Sequence, residues 1–409
     1  GIHTVIINGG ECEPYLTCDD VLMRTQAAGV VDGVRLIVHA SGARQALIGI
    51  EDNKPEAIAA MQAAAAGFAE VRVCPVPARF PMGFDKQMVK TLTGIEVPAD
   101  GRSFDAGVLV NNVGTALAVS QAVREGRPLV QPYNIFSYTF AAMAFAQVAV
   151  ATGSDEYAMI AKRTFDRILE KRANPKGEWC KAYPGTRSLK SFALPMILCN
   201  MALEIEPMID KQLLADTIGE CLHEVMEVFY REELGLIVEN VTEDGRLSDT
   251  FEGRQMNPGH SLEAMWFIMN LGVRLDDRAL IDKAVRIALN TAEYGWDKEY
   301  GGIFYFLDRK GAPRVELEWD QKLWWVHIES AIAMIKGYQL TGSKECLEWF
   351  GKLHEYTWAH FKDTEHPEWF GYLNRRGEVL LPLKGGKWKG CFHVPRGLYQ
   401  CWKVLEELQ

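Results

Sequence analysis

The order of apolar and polar positions changes character once along the chain. Up to about residue 125, short β-branched runs alternate with stretches of helical periodicity. Residues 4–8, 34–39, 46–50, 70–76 and 107–111 read as strands. Residues 20–29, 54–68, 84–93 and 115–124 read as helices, with Pro55 near a helix start, where its missing N–H costs nothing. Such alternation implies a parallel sheet with helices on its faces. The expectation for residues 1–125 is therefore a small α/β doubly wound domain.

From about Asn134 the strands nearly vanish. The 3.6-residue period predicts helices over 136–152, 156–171, 189–203, 213–231, 261–271, 278–291, 322–341, 344–361 and 396–407. A glycine-apolar hairpin recurs after alternate helices: Leu234-Gly-Leu-Ile-Val, Gly301-Gly-Ile-Phe-Tyr and Trp369-Phe-Gly-Tyr-Leu. This spacing is the length of two helices and their loops, so it reads as an internal repeat. Repeated helix pairs with the long loops on one face predict a mainly α second domain over 126–409, an α/α toroid with its cavity on the loop face.

Composition narrows the function. A formal charge of −10 argues against nucleic acid as a partner, since phosphate binding needs a basic surface. The run of apolar residues nowhere reaches the ~20 of a membrane helix, so no membrane partner is expected. The opening Gly1-Ile-His-Thr-Val-Ile shows no basic leader. The nine cysteines include no CxxC pair, which suits a reducing, cytoplasmic compartment and argues against zinc or an iron–sulfur cluster; no metal site is expected.

Two motifs carry candidate chemistry. One is Arg254-Gln-Met-Asn-Pro-Gly-His260-Ser-Leu-Glu263; the other is Lys384-Gly-Gly-Lys-Trp-Lys-Gly-Cys-Phe-His393-Val-Pro-Arg396. Each places one histidine at the mouth of a helix. Inverting a carbon beside a carbonyl needs two acid–base groups and a donor for the developing oxyanion, and histidine titrates in the right range. His260 and His393 are the candidate pair. Glu263, one turn after His260, could orient it or accept its proton. Glu329 is a second helical carboxylate. Arg254, Lys389 and Arg396 can offset oxyanion charge, Asn257 belongs to the same binding motif, and Trp266, Trp324, Trp325 and Trp388 can stack on a sugar. The tryptophans equally suit core filling, and His327 equally suits a satisfied core position.

These residues resemble the N-acylglucosamine 2-epimerase family, also called renin-binding protein. The resemblance runs from Arg124-Glu-Gly-Arg-Pro-Leu-Val-Gln-Pro-Tyr-Asn-Ile-Phe-Ser137 through residues 254–264, Gly301–Phe306, Leu317-Glu-Trp-Asp-Gln-Lys-Leu-Trp-Trp325 and Glu368-Trp-Phe-Gly-Tyr-Leu373 to the end. Cys391-Phe-His-Val-Pro-Arg396 favours this family over the related cellobiose 2-epimerases. The resemblance implies an (α/α)6 barrel. It implies C2 epimerisation between N-acyl-D-glucosamine and N-acyl-D-mannosamine, with proton transfer by His260 and His393 and support from Glu263 and Glu329. It implies an amino sugar as the small-molecule partner, no required cofactor, ATP as an effector in some members, and room for a homodimer. Members begin with further helices bearing an active-site arginine; none is seen here, so an incomplete barrel is expected.

Residues 1–125 resemble the C subunit of Rnf-type electron transport complexes. The carriers are Val5-Ile-Ile-Asn-Gly-Gly-Glu-Cys-Glu-Pro-Tyr15, Cys18-Asp-Asp20, Leu47–Ala57, Phe80-Pro-Met-Gly-Phe-Asp-Lys-Gln87 and Val110-Asn-Asn-Val-Gly-Thr115. In that family the region belongs to a flavin- and NADH-binding fold; Glu11, Glu13 and Asp19 would line a remnant pocket or cap turns. The alternatives to an isomerase are thus a fragment of a flavin- and NADH-dependent electron-transport protein, or a chimeric chain without native activity.

Overall fold

The computed structural model describes residues 1–11, 17–98, 100–126, 134–175, 189–386 and 388–409. The chain divides into two compact units, Gly1–Gln131 and Pro132–Gln409.

The first unit is built from β1 (Thr4–Gly9), α1 (Cys18–Thr25), α2 (Ala27–Ser41), β2 (Gln45–Glu51), α3 (Pro55–Ala65), β3 (Val71–Val76), α4 (Asp85–Thr93), β4 (Val108–Asn112) and α5 (Val113–Glu125). The strands form a parallel sheet in the order β3-β2-β1-β4, with Ile6 opposite Leu47 on one side and Val110 on the other. Alternate side chains of β1 enter different cores. Val5 and Ile7 join Val30, Val34, Met61 and Ala116 of the helices on one face; Ile6 joins Met82, Met88 and Val89 on the other. Both faces are covered, as a doubly wound sheet requires. Residues 34–39 are helical, not a strand. Val30, Val31, Val34, Ile37 and Val38 are buried at helical spacing, a pattern a short apolar run hides. Here α2 lies so close to α5 that a Cβ on Gly33 would stand 1.7 Å from the Ala116 carbonyl oxygen.

The second unit opens with α6 (Ile135–Thr152), α7 (Asp155–Lys171), β5 (Leu189–Ser191), α8 (Ala193–Ile205) and α9 (Lys211–His223). Then come β6 (Tyr230–Arg231), β7 (Leu236–Ile237), β8 (Asn240–Thr242), β9 (Gln255–Met256), α10 (Pro258–Leu275) and α11 (Arg278–Gly295). It ends with β10 (Leu307–Asp308), β11 (Lys322–Leu323), α12 (Trp324–Thr341), α13 (Lys344–His360), β12 (Tyr372–Leu373), β13 (Val379–Leu381) and α14 (His393–Glu407). Helices α6, α8, α10, α12 and α14 pack in succession as an inner row, while α7, α9, α11 and α13 pair with them outside. The inner α10 and α12 are buried nearly all round; the outer α11 and α13 bury one stripe. The repeat is visible in the backbone. Antiparallel pairing joins Tyr230 to Ile237, Trp296 to Ile303 and Lys362 to Trp369, each step 66 residues after the last. This is the helix-pair layering of an (α/α)6 barrel, with nine α-helices of it among the described residues.

Three expectations shift here. Residues 189–191 form β5 rather than the start of a helix, pairing with β8. Helix α9 ends at His223 and a π-turn, Glu224–Phe229, leads into β6. The expectation of no membrane-length apolar run is also corrected: α6 is 18 residues with mean hydropathy 1.5, long and apolar enough to cross a membrane by length and composition. An inner helix of a complete barrel has the same composition, but only a third of α6 is buried here, and Phe140, Val148 and Val150 on it are exposed. Ile135, Thr139, Ala142, Met143, Ala146 and Ala149 of α6 are its buried residues. The described cysteines are all free thiols; Cys12 and Cys180 lie outside the described residues.

Candidate active site

Two helix N-termini on the loop face of the second unit present the candidate histidines. Asn257 caps α10 by accepting the backbone N–H of His260 at 3.2 Å, and Pro258 occupies the first turn, where no donor is lost. His393 is the first residue of α14. Between them stands Trp325 of α12, whose ring lies 5.4 Å from that of His260 and 5.8 Å from that of His393, tilted by 39° and 37°. One indole thus holds both imidazoles within reach of a single small ligand.

Each imidazole rests on a carboxylate through the same nitrogen. His393 Nδ1 is 2.6 Å from Glu329 Oε1; His260 Nδ1 is 3.0 and 3.1 Å from the two oxygens of Glu239. An ionised carboxylate only accepts, so Nδ1 carries the hydrogen in both rings and Nε2 is left for chemistry. The side chains of His260 and His393 keep 25% and 19% of their exposure, enough for a ligand to reach them. Burial alone would lower the pKa of His260. The Glu239 carboxylate, with Glu263 further off, outweighs it and holds the ring above the ordinary histidine range.

Glu329 is fully buried and is the hub of the site. Its Oε1 also accepts from Arg396, and its Oε2 accepts the Trp266 indole N–H at 2.9 Å. Burial pushes this carboxyl up, but Arg396, His393 and Trp266 outweigh that and hold it below the usual range. Arg396 stands 3.7 Å from Glu263, and its guanidinium lies over the Phe392 ring at 4.1 Å. Glu263, Glu329 and His393 offer donor atoms within 4.8 Å of one another, a set that could hold a metal, yet the Arg396 cation already supplies positive charge there.

Glu263 behaves oppositely to Glu329. Burial and the Glu329 charge push its pKa up to about 7, against the pull of His393, Arg396 and His260. A carboxyl raised from 4.5 to about 7 is protonated in the fold but ionised in the unfolded chain across that window, so stability falls as pH rises through it. Glu263→Gln should remove that fall. Urea melts from pH 4.5 to 8 should show the variant gaining on wild type by on the order of 2–3 kcal/mol as pH rises.

The sequence-predicted residues divide accordingly. The site gathers His260, Glu263, Trp266, Glu329, His393 and Arg396, and Asn257 sets the angle of α10. Glu263 makes no hydrogen bond to His260; Glu239 takes that place. Arg254 is engaged elsewhere, donating to the buried Asp308 at 3.0 Å. Lys389 is 2% exposed and donates to Glu368 at 2.8 Å and the Lys384 carbonyl at 3.0 Å, shaping its own loop. Trp324 is buried edge-on against Tyr372, a core filler. His327 is likewise structural. Its Nδ1 donates to the Leu323 carbonyl at 2.7 Å, its Nε2 accepts from the Ile303 N–H at 3.0 Å, and burial pushes it down to about 3. Glu239 escaped the sequence reading. Its signal was a carboxylate inside the apolar run Leu236-Ile-Val-Glu-Asn-Val241.

The comparisons with known proteins bear on this arrangement. A family model described as N-acylglucosamine 2-epimerase (GlcNAc 2-epimerase) matches residues 114–395. The chain belongs to the N-acylglucosamine 2-epimerase family. The N-acylglucosamine 2-epimerase of Rattus norvegicus is 38% identical over 294 residues, covering 70% of this chain and 69% of that protein. The cellobiose 2-epimerase of Spirochaeta thermophila, at 15% identity, overlays with a TM-score of 0.58 over 94% of this chain and 86% of its own; at that identity the likeness speaks for the fold alone. Membership in the N-acylglucosamine 2-epimerase family makes the chain a sugar isomerase of the epimerase type.

The first unit has a separate ancestry. A model described as Nuo51 FMN-binding domain matches residues 1–121. The C subunit of the ion-translocating oxidoreductase complex of Cronobacter sakazakii is 51% identical over 130 residues, 32% of this chain but 17% of that protein. The two family matches overlap at 114–121, inside α5, so the chain is a fusion whose shared segment is helical. A flavin is what this ancestry implies. The polar rim at the C-terminal ends of β1, β2 and β4 is where a parallel sheet binds ligands. Its described side chains are bonded to one another: Lys54 to Glu11 and Glu51, and Asn112 to Asp19 at 2.6 Å while capping α5. These described side chains thus have protein partners, and Glu13 lies outside the described ones.

Proposed function

We propose that this chain interconverts N-acyl-D-glucosamine and N-acyl-D-mannosamine at C2 by two-histidine proton transfer. The observation that carries the reading is the pair of imidazoles, each held through Nδ1 on a carboxylate, meeting at Trp325.

In the open-chain sugar, C1 is a carbonyl and the C2 proton is acidified by it. The Nε2 of one histidine takes that proton. The C2–H electron pair becomes the C1–C2 double bond of an enolate that keeps the N-acyl group on C2, and the carbonyl electrons move to O1. The other histidine then gives a proton to the opposite face of C2, and the electrons return to restore the carbonyl. The N-acyl group stays attached throughout. Arg396 lies close enough to the pair to offset the developing charge, a contribution set by its fixed position against Glu329 and Glu263. Glu263, neutral below about pH 7, can share a proton within the site without adding negative charge.

The test is isotopic. Incubated with N-acetylmannosamine in D₂O and followed by proton NMR, the purified protein should give N-acetylglucosamine carrying deuterium at C2. Folded protein that leaves the C2 proton in place would overturn the reading.

A further inference from the structure

We propose that Glu239 is the positioning residue of His260, fixing its Nδ1–H so that Nε2 faces the sugar, as Glu329 does for His393; the inference rests on the two-histidine reading above. The contact is two-pronged, with both carboxylate oxygens within 3.1 Å of Nδ1. Glu239 itself has little freedom. It sits between β7 and β8, its carbonyl accepts the Phe192 N–H at 2.9 Å, and its neighbour Asn240 pairs with Ser191 and donates to the Glu252 carbonyl at 2.9 Å. Its side chain is 11% exposed, so the carboxylate lies in surroundings that strengthen its hold on a cation.

The two carboxylates are not equivalent. Glu329 divides its charge among His393, Arg396 and Trp266. Among the described residues, the Glu239 carboxylate is hydrogen-bonded to His260 alone. The described charged groups that face His260 are Glu239, across from α10, and Glu263, on α10 itself; both favour the imidazolium. Trp325 of α12 is neutral, and Tyr305, edge-on to it at 6.2 Å, is held in its neutral form by burial first and then by carboxylates that include Glu239. Glu239 is accordingly the hydrogen-bonded anion of His260, with Glu263 adding a more distant charge. Removing the Glu239 charge should disturb His260 more than any change at Glu329 would.

The test pairs Glu239→Gln with Glu239→Ala in the full chain. Ring-nitrogen NMR, with the His260 signals assigned by their loss in His260→Ala, reads the tautomer and titration directly. In wild type Nδ1 should stay protonated while Nε2 titrates. In both variants the His260 titration should move to lower pH. The acidic limb of kcat/KM should follow, and kcat should fall about 100-fold while KM changes little. If Glu239→Ala does not fold, Glu239→Gln, which keeps the side-chain shape, carries the test. A His260 titration unmoved in the folded variants overturns the proposal. The NMR readout does not need turnover, so an unmoved His260 titration, which overturns the Glu239 role, is distinguishable from failure of the C2 exchange assay in wild type, which overturns the two-histidine reading it rests on.

Discussion

His260→Ala should abolish epimerisation yet leave exchange of the C2 proton from one epimer, and His393→Ala should leave exchange from the other. Two acid–base groups on opposite faces of one enolate make this split unavoidable. Each epimer presents its C2 proton to only one of the two histidines. With the partner missing, that proton can still be taken and returned as deuteron to the same face, but no proton reaches the opposite face. Net conversion should fall by roughly 10²–10⁴-fold in either variant. Exchange should persist from N-acetylmannosamine in one variant and from N-acetylglucosamine in the other. The Nδ1 anchors make the expectation specific, because each ring keeps its own carboxylate when the other is lost. Exchange from both epimers in one variant would point to a single mobile base. Exchange from neither, in folded protein, would mean that the histidines act as a coupled unit through the charges around Glu263 and Glu329.

The sequence carries the layering of this chain better than its contacts. Periodicity is local, so the repeated helix pairs and the strand–helix alternation are open to reading from spacing alone. It failed at residues 34–39, because a short apolar run has no period of its own and only the packing of α2 on α5 decides it. It failed at α6 for another reason: Ser137, Thr139 and Gln147 interrupt the apolar run, while the mean hydropathy over its 18 residues stays at 1.5. In the site, residues close in sequence were grouped too readily. Glu263 is one turn from His260, but its side chain belongs with Arg396 and Glu329. Arg254 and Lys389 share motifs with the histidines, yet Asp308 and Glu368 hold them. The partner of His260 comes from 21 residues upstream, across two strands, where no local pattern announces it.

Glu329→Ala should be the most destabilising single change at the site, by about 3–5 kcal/mol, whereas Glu329→Gln should cost far less. The carboxylate is fully buried and balances Arg396 while accepting from Trp266 and His393. Deleting it leaves a partly buried guanidinium whose remaining ion pair among the described residues is Glu263 at 3.7 Å, and strands an indole N–H without its acceptor. Glutamine keeps an acceptor for Trp266 or His393 and loses the charge. The pH dependence separates the two effects. A carboxyl held below its ordinary value contributes stability above the unfolded glutamate range, and that contribution is lost as pH falls through the depressed folded value. The gap between wild type and Glu329→Gln in denaturant melts should therefore be widest near neutrality and close toward acid. In both variants His393 loses its anionic anchor, so epimerisation should collapse even where glutamine preserves the fold. A Glu329→Gln protein with wild-type turnover would show that His393 needs neither the charge nor the orientation that Glu329 provides.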